Sequence, residues 1–366
     1  MNINYIAPIC GTGYGIASIN ILKHLNLAGV KSHLLPIGNP NVETQEDANI
    51  VKQALENGKL FDYDAPCLRI YHQFSLDQFV GRGKKIGFPI FELDRFSPLE
   101  LHHLGYPDKL LVCSKWAKEI VVDSLYHHYK WPNIAANVHV VPLGVDTSIF
   151  SPTQPQEKEN YIFLNCGKWE VRKGHDILCD IFNRFEITDK VELWLCPHNP
   201  FLKPEESKEW ENYYLTSKMG RAGKIKILPR LQTQSQLASV MNMADCGIFP
   251  YRAEGWNMEG LEMLACGKPI IFTDYSGPTE YTNDVIFSSS TRCCLGIYLT
   301  DGLEDAYDGK WFFKQGKWAK FTKEMKEQTF EYMKWAYNEK FTDDDGLKIA
   351  EKFSWENTAK KILEVI

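Results

Sequence analysis

The sequence predicts an α/β protein of two parallel-sheet domains, and three observations carry that expectation. Short apolar, strand-like runs alternate with helical patterns along nearly all of the 366 residues. Residues 151–160 (SPTQPQEKEN) are polar, carry two prolines and lack apolar periodicity, and so read as a linker. The chain is also long for one core, so about two domains is the expectation.

Composition narrows the class. A hydrophobic content of 44% with 24% charged residues is ordinary for a soluble globular protein. The net charge of −6 and a pI near 6.0 argue against a general nucleic-acid or anionic-membrane binder, although a local basic patch is still allowed. Ten cysteines show no C-x-x-C spacing, and most fall inside apolar runs such as LLVCS, FLNCG and LWLCP. That usage suits free thiols in a reducing cytosol, so a cytoplasmic location is expected. The start MNINYIAPICGTG lacks the charged and long apolar regions of a signal peptide. No 18-residue apolar run occurs, while peripheral attachment at the inner face of a membrane stays open.

The N-terminal half opens with an apolar run, residues 3–8, then Gly11-Thr12-Gly13-Tyr14-Gly15. A helical pattern follows through Ile16, Ile19, Leu22, Leu25 and Leu27. Gly29 ends it before a strand at 33–36. This strand–glycine loop–helix–strand start is Rossmann-like, and its loop can offer backbone N–H groups to a phosphate. A nicotinamide dehydrogenase is disfavoured. The glycines read G-x-G-x-G, and the second strand ends in Leu35-Pro36 with no acidic residue for a ribose. Residues 45–57 read as a helix, 67–71 as a strand running into His72, and 84–91 (KKIGFPIF) as a strand leading to Glu92-Leu93-Asp94-Arg95. A strand at 109–113, a helix at 115–127 capped by Ser114 and a strand at 138–141 complete the half. His102-His103 and His127-His128 sit on helical stretches and read as surface.

In the C-terminal half a strand at 161–166 precedes GKWEVRKG (167–174), which opens a helix through residue 185. Strands at 191–196 and 225–228 bracket a long aromatic loop, 197–223, holding Trp210, Tyr213 and Tyr214, and a helix follows at 234–243. Residues 244–272 form one unit: strand 246–250, loop 251–257, helix 258–266, a left-handed Gly267 and strand 269–272. Glu254 in the loop and Glu262 in the helix stand eight positions apart. Carboxylates accept hydrogen bonds from vicinal diols, and the helix start supplies N–H donors with a positive dipole end. Gly277-Pro278-Thr279-Glu280 belongs to the same strand-end edge. The aromatic and basic stretch 307–341 suits a helix on the core, through Phe321, Met325, Phe330, Met333 and Trp335, better than a single-stranded nucleic-acid surface. Asp343-Asp344-Asp345 reads as a helix cap and solvated turn, and Phe353-Ser354-Trp355-Glu356 precedes a final helix.

The phrase EGWNMEGLEMLACGKPII (254–271), with GKWEVRKG, FELDRFSP, VCSKWAKEIV and VPLGVDTSIFSP, resembles the retaining glycosyltransferases of the GT-B fold, family 4 type (glycosyl transferases group 1), over nearly the whole chain. The resemblance implies two Rossmann-like domains facing across a cleft. Residues 1–150 would hold the acceptor and 161–350 the nucleotide-sugar donor, joined by the 151–160 linker, with 351–366 crossing back to the first domain. It assigns the donor sugar to Glu254 and the backbone of Gly255, Trp256, Asn257 and Met258, and the ribose to Glu262. The diphosphate falls to Lys168 and Lys173, with Arg172 beside them, and to the loop of Gly13 and Gly15. Four departures stand out. Asn257 replaces the usual Gly, Glu259 the usual Pro and Lys168 the commoner Arg. The family His is missing where Glu92 stands. A positive φ at 257 would suit Asn as the least costly substitute for Gly. His72, Glu92 and Asp94 are the acceptor-side candidates, and the catalytic set is Glu254, Lys173, Lys168 and Glu92.

The implied reaction moves a hexose-type sugar from a UDP- or GDP-sugar to a hydroxyl acceptor with retention, in surface glycan or glycolipid synthesis. No metal and no cofactor beyond the donor is expected, because lysines and amides meet the phosphate charge. The FELD phrase as a metal site belongs to a different glycosyltransferase fold without the twin-domain pattern. Two alternatives remain: glycosylation of a modified base in DNA, for which Arg82-Lys84-Lys85 offers a small basic edge, and a non-catalytic sugar-nucleotide-binding protein.

Overall fold

The computed structural model describes residues 1–154, 157–286, 293–340 and 344–366. Linker positions 155 and 156, Phe341 and Asp343 therefore lie outside the described residues. The chain divides into two compact units, Met1–Gly144 with Phe353–Ile366, and Val145–Lys352.

The first unit runs β1 (Asn2–Ala7), α1 (Gly13–Leu27), β2 (Lys31–Pro36), α2 (Gln45–Gly58), β3 (Cys67–Ile70), β4 (Lys85–Phe88), α3 (Pro98–Gly105), β5 (Lys109–Val112), α4 (Lys115–Tyr129) and β6 (Val138–Val140). Its six strands pair in the order β2-β1-β3-β4-β5-β6, every pair parallel. A parallel sheet is covered on both faces, which explains why β1 and β3 are buried almost throughout, polar Asn4 and Arg69 included. Ser114 caps α4 by accepting from the Ala117 N–H, and Ser97 with Glu100 forms a capping box on α3.

The second unit runs β7 (Tyr161–Cys166), α5 (His175–Phe182), β8 (Val191–Cys196), α6 (Pro204–Leu215), α7 (Lys218–Arg221), β9 (Ile225–Ile227), α8 (Gln234–Met243), β10 (Cys246–Phe249), α9 (Met258–Ala265), β11 (Ile270–Thr273), α10 (Thr279–Ile286) and β12 (Cys294–Ile297). It ends with a hairpin, β13 (Leu303–Tyr307) and β14 (Phe313–Ala319), and helices α11 (Lys323–Glu339) and α12 (Asp345–Lys352). Its sheet, also parallel throughout, has the order β12-β11-β10-β7-β8-β9. Phe163, Phe182, Leu193, Ile248, Ile271 and Met333 lie at the centre of its core. The last helix, α13 (Trp355–Val365), belongs to the first unit and packs on α1. Gly144 makes this possible, since a Cβ there would stand 2.2 Å from the Trp355 nitrogen.

Four local expectations are corrected. The 197–223 stretch is not a bare loop. Pro204 starts α6, and Trp210 and Tyr214 pack inward on Trp169. The first part of the 307–341 stretch is the β13–β14 hairpin, with Tyr307, Trp311 and Phe313 exposed; the core helix is α11 alone, burying Met325 and Met333. His103 is buried near Asp77, not on the surface. The helix after GKWEVRKG stops at Phe182, three residues short of Phe185.

Candidate donor site at the strand ends of the second unit

In an open parallel sheet, a ligand crevice forms beyond the strand ends where the strand order reverses. In the second unit the chain moves outward from β7 through β8 to β9, then returns to place β10 on the other side of β7. The reversal therefore lies between β7 and β10. The loops leaving those two strands are GKWEVRKG and residues 250–257.

The loops are tied together closely. Gly174 has φ +81°, and a Cβ on it would lie 2.0 Å from the Pro250 carbonyl oxygen, so only glycine fits. The Arg252 N–H donates to the Arg172 carbonyl at 2.7 Å, and the Arg252 guanidinium grips both Asp176 oxygens at 2.8 Å. A third loop, after β11, joins them: the Glu254 N–H donates to Ser276 Oγ at 2.9 Å and the Gly277 N–H to the Glu254 carbonyl at 3.0 Å. A Cβ on Gly277 would meet the Gly255 oxygen at 2.0 Å.

A buried chain of alternating charge crosses this frame. Lys168 Nζ lies 2.9 Å from Glu170, and Glu170 lies 3.0 Å from Arg172. Arg172 lies 3.0 Å from Glu254, and Lys173 Nζ lies 2.6 Å from the other Glu254 oxygen and 4.0 Å from Glu259. Burial works against ionisation of Glu254, but Arg172 and Lys173 outweigh it and hold its carboxyl below the usual range. Burial likewise disfavours the Lys173 charge, and Glu254 and Glu259 restore it, raising its pKa.

Glu262 differs. Burial, with Glu259 adding to it, pushes its carboxyl well above the usual range, and it has no ion-pair partner among the described residues. Asn257 has φ +61°, the left-handed conformation expected if Asn stands in for Gly, and its side chain caps α9 by accepting from the Gly260 N–H at 3.3 Å. The Asn257 Nδ2 is buried without an acceptor among the described residues. The remaining first-turn N–H groups of α9 have no intrahelical partner, as at any helix start.

Thus Lys168, Arg172, Lys173, Glu254, Gly255, Trp256, Asn257, Met258 and Glu262 all belong to one strand-end region of this unit. Glu170 was not singled out from the sequence, although its place between Lys168 and Arg172 was a visible charge signal. His175 was also unmarked. Buried at the start of α5, it shares a hydrogen bond with the Gly167 carbonyl at 3.0 Å, and burial pushes its pKa down to about 4.

The remaining candidates belong to the first unit. There the strand order reverses between β1 and β3, at the first turn of α1, which carries Gly13 and Gly15, and at the loop carrying His72. A Cβ on Gly15 would strike the Cys10 carbonyl oxygen at 2.1 Å, so this glycine lets α1 start against the β1 loop. His72 packs edge-on against Tyr14 at 4.6 Å and stacks on Phe74 at 5.0 Å. The Tyr14 hydroxyl donates to the Ile90 carbonyl at 2.6 Å and accepts from its N–H at 3.0 Å. Burial raises the Tyr14 pKa well above its ordinary value, and the Glu92 charge adds to the rise. Asp94 is half-buried on the loop beyond. Among the described residues, no group of three or more His, Cys, Asp or Glu is arranged to hold a metal ion. Among the described residues, no helix is long and apolar enough to cross a membrane.

Two parallel α/β sheets, each with its loop cluster at the strand-order reversal, match the fold of GT-B glycosyltransferase structures. Sucrose-phosphate synthase from Thermosynechococcus elongatus is similar at 14% identity, with a TM-score of 0.68 over 100% of this chain and 98% of that one. Anabaena HepE, solved in complex with UDP-glucose, has the same identity, TM-score and coverage. Residues 160–291 match the family model for glycosyl transferases group 1, so the second unit carries a domain of that family. A probable sucrose-phosphate synthase of Thermosipho melanesiensis is 25% identical over 271 residues, 70% of this chain and 55% of that protein. The chain spans 36% to 59% of the length of the curated relatives it matches.

Proposed function

We propose that this protein is a glycosyltransferase whose second unit binds a nucleotide-diphosphate sugar. In this reading Lys168 and Lys173 meet the diphosphate, Glu254 and the start of α9 meet the sugar, and Glu262 meets the ribose. The observation that carries it is the contrast between two buried glutamates at one strand-order reversal. Glu254 is charge-balanced by Arg172 and Lys173, whereas Glu262 is buried without a cation among the described residues. A buried carboxyl lacking a partner is costly in the free protein, and ribose hydroxyls satisfy it on binding. UDP-glucose-bound HepE among the similar proteins supports a nucleotide-sugar donor, and UDP- and GDP-linked sugars are the proposed candidates.

In the proposed reaction the bond from the anomeric carbon to the β-phosphate oxygen breaks with its electron pair leaving on the diphosphate. The acceptor oxygen bonds to that carbon on the same face, giving retention, and its proton passes to the departing phosphate. Lys168 and Lys173 stabilise the charge as it grows, where preorganised electrostatics act most strongly. These contacts need no divalent metal. We assign the hydroxyl acceptor to the first unit, with His72, Glu92 and Asp94 as its candidates, and the task to surface glycan or glycolipid synthesis on the cytoplasmic side of a membrane.

A thermal-shift screen of UDP, GDP, ADP and their sugars tests this. A ligand at 100 times its dissociation constant adds about 2.7 kcal/mol of stability. No shift with any of them contradicts the reading. Release of nucleoside diphosphate without added acceptor then separates an active enzyme from a binding protein.

A further inference from the structure

We propose that Glu170 is a positioning residue that sets Lys168 for the donor's β-phosphate and, through Arg172, joins that lysine to the sugar-side Glu254. This rests on the nucleotide-diphosphate reading above. Glu170 is 8% exposed, and its two oxygens face different cations, Lys168 at 2.9 Å and Arg172 at 3.0 Å. The Arg172 guanidinium is itself buried and held on three sides, by Glu170, by Glu254 at 3.0 Å and by the Ala253 carbonyl at 2.8 Å. It therefore works as a brace between two carboxylates, and the donor-side cation left at the surface is Lys168, whose side chain is 37% exposed.

A long side chain with that freedom loses rotamer entropy on meeting a phosphate. Lys168 has that freedom curtailed in advance: Glu170 holds one side of its ammonium, and the Phe201 ring lies 5.1 Å from it. The surroundings of Glu170 fit a group kept permanently charged. Burial opposes its ionisation, yet Arg172, Lys168 and Lys173 bring its pKa down to about 2.

The test compares nucleoside mono- and diphosphate affinity, UMP with UDP and GMP with GDP, by titration calorimetry. The affinity ratio isolates the β-phosphate. Glu170→Gln should lower the diphosphate preference about fivefold or more while leaving monophosphate affinity within about twofold. Lys168→Met should do the same, and the double variant should lose no more than either alone. An unchanged ratio in Glu170→Gln, or additive losses, overturns the proposal. If Glu170→Gln does not fold, Glu170→Asp, which keeps the charge and shortens the reach, takes its place under the same criteria. Failure of the underlying reading looks different: Lys168→Met then leaves the ratio intact, or neither pair binds, and the proposal falls with it.

Discussion

Glu254 and Glu262 share a residue type and a strand-end position, yet their surroundings drive them apart. Glu254 has two cations within 3.0 Å; replacing it with Ala removes the close partner of buried Lys173, leaving it Glu259 at 4.0 Å, and one of the two carboxylates on Arg172. A loss of about 3 kcal/mol in denaturant unfolding is expected, together with slowed transfer. Glu262 behaves oppositely. Its folded pKa lies above its unfolded value, so its unfavourable contribution is absent below the ordinary carboxylate pKa and appears as pH rises through it. Glu262→Gln should therefore raise the unliganded melting temperature at pH 7, by about 1 kcal/mol of stability, and lose that advantage near pH 4. The same change should weaken nucleotide binding, which the calorimetric titration reads. A variant that neither gains stability nor loses affinity would remove Glu262 from the site.

Among the elements, the loops after β7, β10 and β11 form one interlocked block, and two backbone positions control it. Gly174→Ala drives a Cβ into the Pro250 carbonyl at a left-handed φ and should destabilise the unit by about 2 kcal/mol or more, read by chemical denaturation. Asn257→Gly keeps the left-handed turn and should change stability by a few tenths of a kcal/mol. Asn257→Val combines strain with loss of the cap and should cost about 2 kcal/mol. The E-x7-E unit was legible because strand, loop and helix start are contiguous in sequence, and so was the left-handed need at 257. The role of Glu170 was not legible. Its partners are two residues away on either side in an irregular loop, where no period signals burial. The β13–β14 hairpin was misread because its aromatic residues also satisfy helical spacing, and only the turn built on Asp308 decides between them. His103 escaped for a related reason: a charged type on a helix reads as surface until Asp77 is seen beside it.

At the scale of the molecule, the α/β alternation was readable because parallel strands buried on both faces leave largely apolar runs, whereas the expected linker at 151–160 lies inside the second unit, which begins at Val145. What alternation alone could not reveal was strand order, and strand order decides where each loop cluster gathers. Acid should open the second unit through His175. Its folded pKa of about 4 lies below the ordinary 6.5, so stability is complete above pH 6.5 and falls as pH drops toward 4, by about 3 kcal/mol in all. Burial is the cause, with the Gly167 carbonyl and Lys173 as neighbouring influences. His175→Asn should flatten that part of the melting temperature profile, and an unchanged slope would place the acid sensitivity elsewhere.

The most direct test of the donor site is a crystal structure of the protein soaked with the nucleoside diphosphate that gives the largest thermal shift. The expected result has the β-phosphate within hydrogen-bond reach of Lys168 and Lys173, and the ribose on Glu262. A well-ordered nucleotide bound away from residues 168–173 and 254–262 would contradict it.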